Sequence, residues 1–265
     1  MPLTHCRLCN SADLHFDFAE GYRSRLKYYR CHNCRLVNYD LDHGLDQSQY
    51  TEVYVSPTLV ENKRNVEGTA TWQFLHRHVP GPAKLMDIGC GNGCILYLAR
   101  EHGWEVRGLE LSADAARAIA ADTGIEVDVG NFLKMNLDDS ANYDVVILRH
   151  VLEHLPDSVG ALRQINALLR PGGYALLEFP NIDAPALKFK RAMKKLGLRS
   201  NTKYPPEWRP GHCNEFCRYS FNYLARESDF ALEIWQTYSS KPTLNAIYNR
   251  LPIGTKARVL LRKNA

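Results

Sequence analysis

With 265 residues, 45% of them hydrophobic and 23% charged, the chain has material for one large domain or for a medium one with a small appendage, and this composition excludes a disordered or fibrous polypeptide. No apolar run approaches the roughly 18 residues of a membrane span, and Met1-Pro2-Leu3-Thr4-His5 has neither the basic start nor the apolar stretch of a signal peptide, so a cytoplasmic protein is expected. The net charge of +4 is uneven: residues 181–215 carry +5 and residues 241–265 carry +6, leaving −7 for the rest, so basic surface on the C-terminal third is suited to the phosphates of a nucleotide-sugar, RNA or an anionic membrane, or is simply solvated.

At the N-terminus two Cys-x-x-Cys knuckles, Cys6/Cys9 and Cys31/Cys34, stand twenty-one residues apart. Each knuckle offers two thiolates to a tetrahedral zinc, and four protein ligands leave no open position, so a structural metal is expected. A chain without an export signal argues against disulfides. His5 and His32 neighbour the ligands as weaker substitutes, and Cys90, Cys94, Cys213 and Cys217 read as small buried side chains. Residues 26–30 and 36–39 alternate as short ribbon strands. The domain plan is therefore a zinc ribbon at 1–45, a linker with N-terminal helices at 46–82, and a main domain at 83–265. The linker holds Tyr50 and Tyr54, read mainly as packing residues, and a helix bearing Trp72, Phe74 and Leu75.

The main domain is organised around residues 84–110. An apolar run, Leu85-Met86-Asp87-Ile88, enters Gly89-Cys90-Gly91-Asn92-Gly93, after which Ile95, Leu96 and Leu98 open a helix that Gly103 stops. A second strand at 105–109 ends on Glu110, placed to reach a ribose diol. Strand, glycine loop, helix and strand make half of a nucleoside-binding unit. The dinucleotide spacing fails, because the third position of Gly-x-Gly-x-x-Gly/Ala is Cys94. The form present, Asp-x-Gly-x-Gly-x-Gly, resembles the first motif of class I S-adenosylmethionine-dependent methyltransferases. That resemblance implies that Asp87 holds the methionine end of the cofactor and Glu110 the ribose hydroxyls.

Ser112 is expected to cap a helix through Ala116, Ile119 and Ala120 that stops at Gly124. A third strand at 125–129 follows, ending at Gly130-Asn131-Phe132, where the resembled family has Gly-Asp and binds the adenine amine; Asn131 keeps an acceptor without the charge. Residues 143–148 form a continuous apolar run suited to a central parallel strand. It delivers Arg149-His150-Val151-Leu152-Glu153-His154 to the carboxyl end of the sheet, where open α/β folds carry their chemistry. Asp157 or Ser158 caps the next helix, Pro171-Gly172-Gly173 ends it, and 174–179 is a fifth strand. The segments HVLEHLPD and LLRPGGYALLEFPN carry the same resemblance on to residue 180, which implies a Rossmann-like, mostly parallel seven-stranded sheet. The resemblance further implies cofactor contacts at Asp87, Gly89, Cys90, Gly91, Gly93, Glu110, Leu111, Asn131, Phe132 and Arg149.

His150-x-x-Glu153-His154 also spells an inverted zincin motif, but it follows a Rossmann-type strand directly and Pro156 leaves no room for the long helix a peptidase needs. Some ubiquinone-pathway and RNA-end methyltransferases bind a divalent ion through a comparable Glu-His pair. Beyond residue 181 the chain leaves the sheet as a lid insert at about 183–215, with a basic amphipathic helix at 186–198 and a proline-rich loop that ends at His212. A helix with Phe221, Tyr223 and Leu224, a sixth strand at 230–235 and an antiparallel seventh at 256–263 complete the chain.

Methyl transfer is an in-line displacement, so the protein positions the acceptor and removes its proton. His154 is the first candidate base, then His150, with Glu153 orienting and His212 closing from the lid. The zinc ribbon ahead of the domain resembles a group that includes sugar C-methyltransferases, which implies a sugar or nucleotide-linked sugar as the small polar acceptor. The alternative is an RNA methyltransferase using the ribbon and the basic C-terminal third, and a non-catalytic binder is the third class.

Overall fold

The computed structural model describes residues 3–46, 54–59, 62–79, 81–135, 142–196, 198, 204–239 and 245–264. In chain order the elements are β1 (Leu14–Glu20), β2 (Leu26–Cys31), β3 (Val37–Tyr39), α1 (Lys63–His78), β4 (Lys84–Ile88), α2 (Cys94–Glu101), β5 (Glu105–Glu110), α3 (Ala113–Thr123), β6 (Val127–Val129), β7 (Tyr143–Arg149), α4 (Ser158–Leu168), β8 (Leu169–Pro180), α5 (Pro185–Lys195), β9 (Asn214–Glu215), α6 (Arg218–Glu227), β10 (Phe230–Tyr238), α7 (Asn245–Tyr248) and β11 (Lys256–Lys263). Two sheets result: a seven-stranded one in the order β10-β11-β8-β7-β4-β5-β6 and a four-stranded one in the order β1-β2-β3-β9.

The large sheet is parallel from β8 through β6, with β11 antiparallel between β8 and β10. It is the Rossmann-like α/β sheet expected from the sequence. Side chains alternate across it as the pleat requires. Val145 and Ile147 of β7, Leu176 of β8 and Leu260 of β11 join Trp72, Leu75, Ile95 and Ile119 in one core. Val146, Leu148, Leu177 and Val259 point the other way, to Leu162 and Ile165 of α4 and Phe221 and Leu224 of α6. Being covered on both faces is why the central strands read as unbroken apolar runs.

Helix ends follow the capping residues. Ser112 accepts the Ala115 N–H at 3.2 Å, Asp157 accepts the Gly160 N–H at 2.8 Å, and α3 stops at Gly124 in the left-handed conformation. The third strand starts at Val127, later than residue 125. The α4–β8 boundary also differs from expectation. Leu169 already pairs with Tyr143, the register then skips to Val145↔Tyr174, and Pro171-Gly172-Gly173 forms a bulge inside β8 where a helix stop followed by a turn was expected.

The cysteine-bearing segment does not stand apart from the rest. Cys6, Leu8, Cys31, Cys34 and Leu36 belong to the same buried cluster as α4, α6 and the large sheet. Its sheet is completed by β9, which arrives from far along the chain and pairs antiparallel with β3 through Val37↔Glu215 and Asn38↔Asn214. Neither β1 nor β9 was expected from the sequence. Tyr50 lies outside the described residues, and Tyr54 donates a hydrogen bond to Asp122 at 3.1 Å.

Candidate functional site

Three glycines, Gly89, Gly91 and Gly93, all adopt φ between 60° and 74°, so the loop after β4 turns back on itself at every second residue. A Cβ at Gly89 would lie 2.6 Å from Val151, so no larger residue fits there. The loop is pinned from outside: Asn92 donates to Val55 O at 2.9 Å and to Asn65 Oδ1 of α1 at 2.7 Å, and Asn65 in turn donates to Ser56 O and Leu59 O. Glu110 at the end of β5 accepts from the Gly91, Leu111 and Ser112 backbone N–H groups at 2.9, 2.8 and 3.1 Å, which points its carboxylate at the rim of the loop. Leu111, next to Glu110, is largely exposed, and Phe132, after β6, is buried. Asn131 caps the turn after β6 by accepting the Leu133 N–H at 3.0 Å. Cys90 is buried beneath the loop.

Asp87 at the end of β4 is 2% exposed, and its Oδ1 is buried without a hydrogen-bond partner. Burial pushes its carboxyl up to about 7, although the nearby Arg149 charge pulls the other way. Arg149 is already engaged. Its Nε donates to Glu178 Oε2 at 2.7 Å, and Glu178 Oε1 accepts from Arg258 and from the Thr71 hydroxyl. Burial alone would raise the Glu178 carboxyl, but the two guanidiniums outweigh it and hold the group far below the usual carboxylate range. This buried network across β7, β8, β11 and α1 was not visible in the sequence, because its members lie far apart in the chain.

On the other side of β7 the chain turns sharply at His150, whose φ is 54° and whose N–H is held by Glu178 O at 2.7 Å. A single 3-10 turn over Leu152–His154 follows, in place of a regular helix. It brings His150 Nδ1 to 3.4 Å from Glu153 Oε1, with Glu153 only 1% exposed and its Oε2 lacking a partner. Burial raises the Glu153 carboxyl, yet the bond to His150 and the fields of His212 and His154 leave it below its ordinary value. His154 donates through Nδ1–H to Gly211 O, 2.9 Å away, and burial lowers its pKa. His212 comes in from the opposite segment, with its ring centroid 4.7 Å from that of His154. Burial would lower its pKa, but the hydrogen bond and charge of Glu215, 3.1 Å away, raise it to about 9. Ligand atoms of Glu153, His154 and His212 all lie within 4.8 Å of one another. Three of the four expected acceptor-side residues thus meet there, with His150 behind Glu153, and Glu215 joins them unexpectedly.

A second convergence sits in the N-terminal sheet. Cys6, Cys9, Cys31 and Cys34 place their sulfurs within 4.8 Å of one another, with Cys6–Cys34 at 3.4 Å and Cys9–Cys31 at 3.5 Å. A tetrahedral zinc with bonds of about 2.3 Å needs sulfurs roughly 3.8 Å apart, so the four thiols suit such an ion with only a small expansion. Both knuckles close in the same way: Asn10 and Arg35, each one position past the second cysteine, take positive φ, and Asn10 N and Arg35 N donate back to Cys6 O and Cys31 O. Between the two sites runs a bridge. Arg7 donates to Asn214 Oδ1 at 3.1 Å, to Tyr39 O at 2.6 Å and to Cys213 O at 2.5 Å. Cys213 N donates to Glu153 O at 2.9 Å, and Asn214 Nδ2 to Leu155 O at 2.8 Å.

Residues 62–233 match a family model described as a methyltransferase domain. A ubiquinone biosynthesis O-methyltransferase of Pectobacterium atrosepticum is 33% identical over 108 residues, 39% of this chain and 45% of that protein. Another of the same name from Vibrio parahaemolyticus is 31% identical over 106 residues, 37% of this chain and 44% of that protein. The chain thus spans under half the length of the curated relatives it matches. A solved Pyrococcus horikoshii protein shares the fold with TM-score 0.58 and 17% identity, covering 84% of this chain and all of that one. So does a Burkholderia thailandensis 1,6-didemethyltoxoflavin-N1-methyltransferase, solved with bound 1,6-didemethyltoxoflavin and S-adenosylhomocysteine, at TM-score 0.54 and 20% identity over 76% of this chain and 82% of that one.

Proposed function

Because the chain belongs to the methyltransferase-domain family, matched over residues 62–233, we propose that it moves a methyl group from S-adenosylmethionine to a hydroxyl of a small polar acceptor. When bound, the cofactor supplies an electrophilic methyl on a sulfonium, open to in-line displacement. The buried Oδ1 of Asp87, which lacks a partner, suits an ammonium, and the Glu110 carboxylate at the loop rim suits a ribose diol. Gly89, Cys90, Gly91 and Gly93 form the floor of this cofactor side, with Leu111, Asn131 and Phe132 toward the base. Arg149 is tied to Glu178 and bears on Asp87 only through its nearby charge.

The observation that carries the reading is the convergence of Glu153, His154 and His212 at the carboxyl end of β7, the strand beside the glycine-loop strand β4. His154 takes the acceptor proton, His150 orients Glu153, and His212, held by Glu215, closes the cleft. A second reading has the same three residues hold a divalent cation that lowers the pKa of the acceptor hydroxyl; their spacing is what favours it. The acceptor need not be a sugar. The curated relatives carry the name of ubiquinone biosynthesis, which gives the sugar reading no support and makes phenolic and other hydroxyl acceptors the first to try. The four N-terminal cysteines hold a structural zinc in this reading.

Incubation with isotopically labelled methyl donor and a panel of phenols, nucleotide-sugars and RNA tests the assignment. Label is expected on a small hydroxyl compound. Transfer to RNA alone would favour the alternative, and binding of NAD without binding of the methyl donor would overturn the reading. Loss of turnover on chelation, restored by magnesium with the cysteine site still filled, would select the cation-assisted version.

A further inference from the structure

Helix α5 buries none of its side chains, whereas α1, α2, α3, α4 and α6 each bury an apolar face. It is nevertheless strongly sided. Phe189, Ala192, Met193 and Leu196 follow the i, i+3, i+4, i+7 pattern of a single stripe. Phe189 is 68% exposed and Leu196 70%, and Leu198 beyond the helix is 67% exposed. The opposite side carries Leu187 and Arg191. The Arg191 guanidinium donates to Ile182 O at 3.2 Å and lies 4.2 Å from the centroid of the Phe18 ring, which fixes the rotation of the helix and turns the apolar stripe away from the molecule. Lys188 and Lys195 line one edge of that stripe and Lys190 and Lys194 the other, with no acidic residue from 184 to 198. Lys188 also reaches Asp183 at 3.5 Å, outside the stripe.

An outward apolar stripe between two rows of lysine narrows the choice of partner. Nucleic acid satisfies the lysines and leaves Phe189 and Leu196 in water. A second copy of the chain covers the stripe but sets lysine against lysine. An anionic bilayer surface answers both features together, with apolar side chains at the acyl boundary and cations among headgroup phosphates. We propose that α5 seats the protein on such a surface, Phe189, Met193 and Leu196 entering it and Lys188, Lys190, Lys194 and Lys195 holding its phosphates. The helix leaves the carboxyl end of β8, the edge of the sheet at which His150 is anchored, so attachment turns the acceptor side of the molecule toward the lipid. Asp183 and Pro252 line one cavity, which brings the exposed Leu251 to the root of the helix as a further apolar contact.

Flotation of the full chain with vesicles of phosphatidylglycerol in phosphatidylcholine is the test. Binding is expected at low salt, weakening as salt screens the lysines, and absent on pure phosphatidylcholine. Paired Phe189→Ser and Leu196→Ser substitutions should abolish it, and each Lys→Gln change should weaken it about fivefold. Phe189, Leu196, Lys188, Lys190 and Lys195 are exposed and Lys194 is half-buried on the helix surface, so the variants should keep the parent circular dichroism and melting temperature. Failure to bind phosphatidylglycerol vesicles at low salt overturns the proposal, as does undiminished binding by the paired serine variant. Retention of the parent on an RNA oligonucleotide but not on vesicles, or a dimer that the serine pair converts to monomer without any lipid binding, overturns it in favour of the other partners.

Discussion

Two features of Asp87 pull against each other: an unpartnered buried carboxylate oxygen, which the proposed function gives to a cationic ligand, and burial that raises its pKa to about 7 from an ordinary 3.8. In the free protein this group binds a proton that the unfolded chain would have released. Its contribution to stability is therefore present below about pH 4 and is lost as pH rises toward 7. An ammonium at Oδ1 needs the ionised form, so cofactor binding should release a proton near neutrality and tighten as pH rises. Calorimetry in buffers of different ionisation enthalpy should detect that proton, and Asp87→Asn should both weaken binding and abolish the release. On the acceptor side, His154→Ala should lower turnover by about 10²–10⁴-fold with the affinity for S-adenosylhomocysteine nearly unchanged, because a base acts in the transition state. Equal losses of turnover and cofactor affinity would refute that division of labour. These residues were legible because each lies in or beside a local motif. Glu215, Asn65 and Arg7 were not, since what gives each its place is a partner remote in sequence.

The Glu178 network joins β7, β8, β11 and α1 through one carboxylate and two guanidiniums. Replacing Glu178 with Gln removes the ion-paired carboxylate from the buried Arg258 and the partly buried Arg149, and a loss of about 3–5 kcal/mol is expected in denaturant unfolding. Arg258→Met should cost comparably, whereas Glu178→Gln combined with Arg258→Met should recover part of the loss if the charges are coupled. Arg7 acts between elements. Its bonds to Tyr39 O, Cys213 O and Asn214 clamp β9 against β3, two residues from His212. Arg7→Met should lower the melting temperature and the turnover while leaving unchanged the zinc that the proposed cysteine site takes up, a pattern that loss of the cysteine site itself would not give. At this scale the sequence was readable where strands are long and apolar runs unbroken. It failed at β9, whose two residues carry no periodicity, and at β8, where the Pro-Gly-Gly signal marks a bulge held by Arg170 on Asp144.

For the whole molecule, the cysteine site shares one buried cluster with the large sheet, so its removal should not leave an intact catalytic half. Cys31→Ser, or chelation of the reduced protein, should lower the unfolding midpoint of the entire chain in a single transition. Two separate transitions, with the second unchanged, would show independent units. A cysteine cluster ahead of a methyltransferase sheet was legible from the spacing of four cysteines and three glycines. The way the two are spliced was not, because it rests on contacts between residues about 175 apart along the chain, such as Asn38 with Asn214. That splice also orders events during synthesis. The outer edge of β3 has no neighbour until residues 214 and 215 have left the ribosome, so over most of translation Val37–Tyr39 presents an open strand edge to other nascent chains. Misassembly should therefore arise there, and should grow worse when elongation is slowed between residue 39 and residue 214.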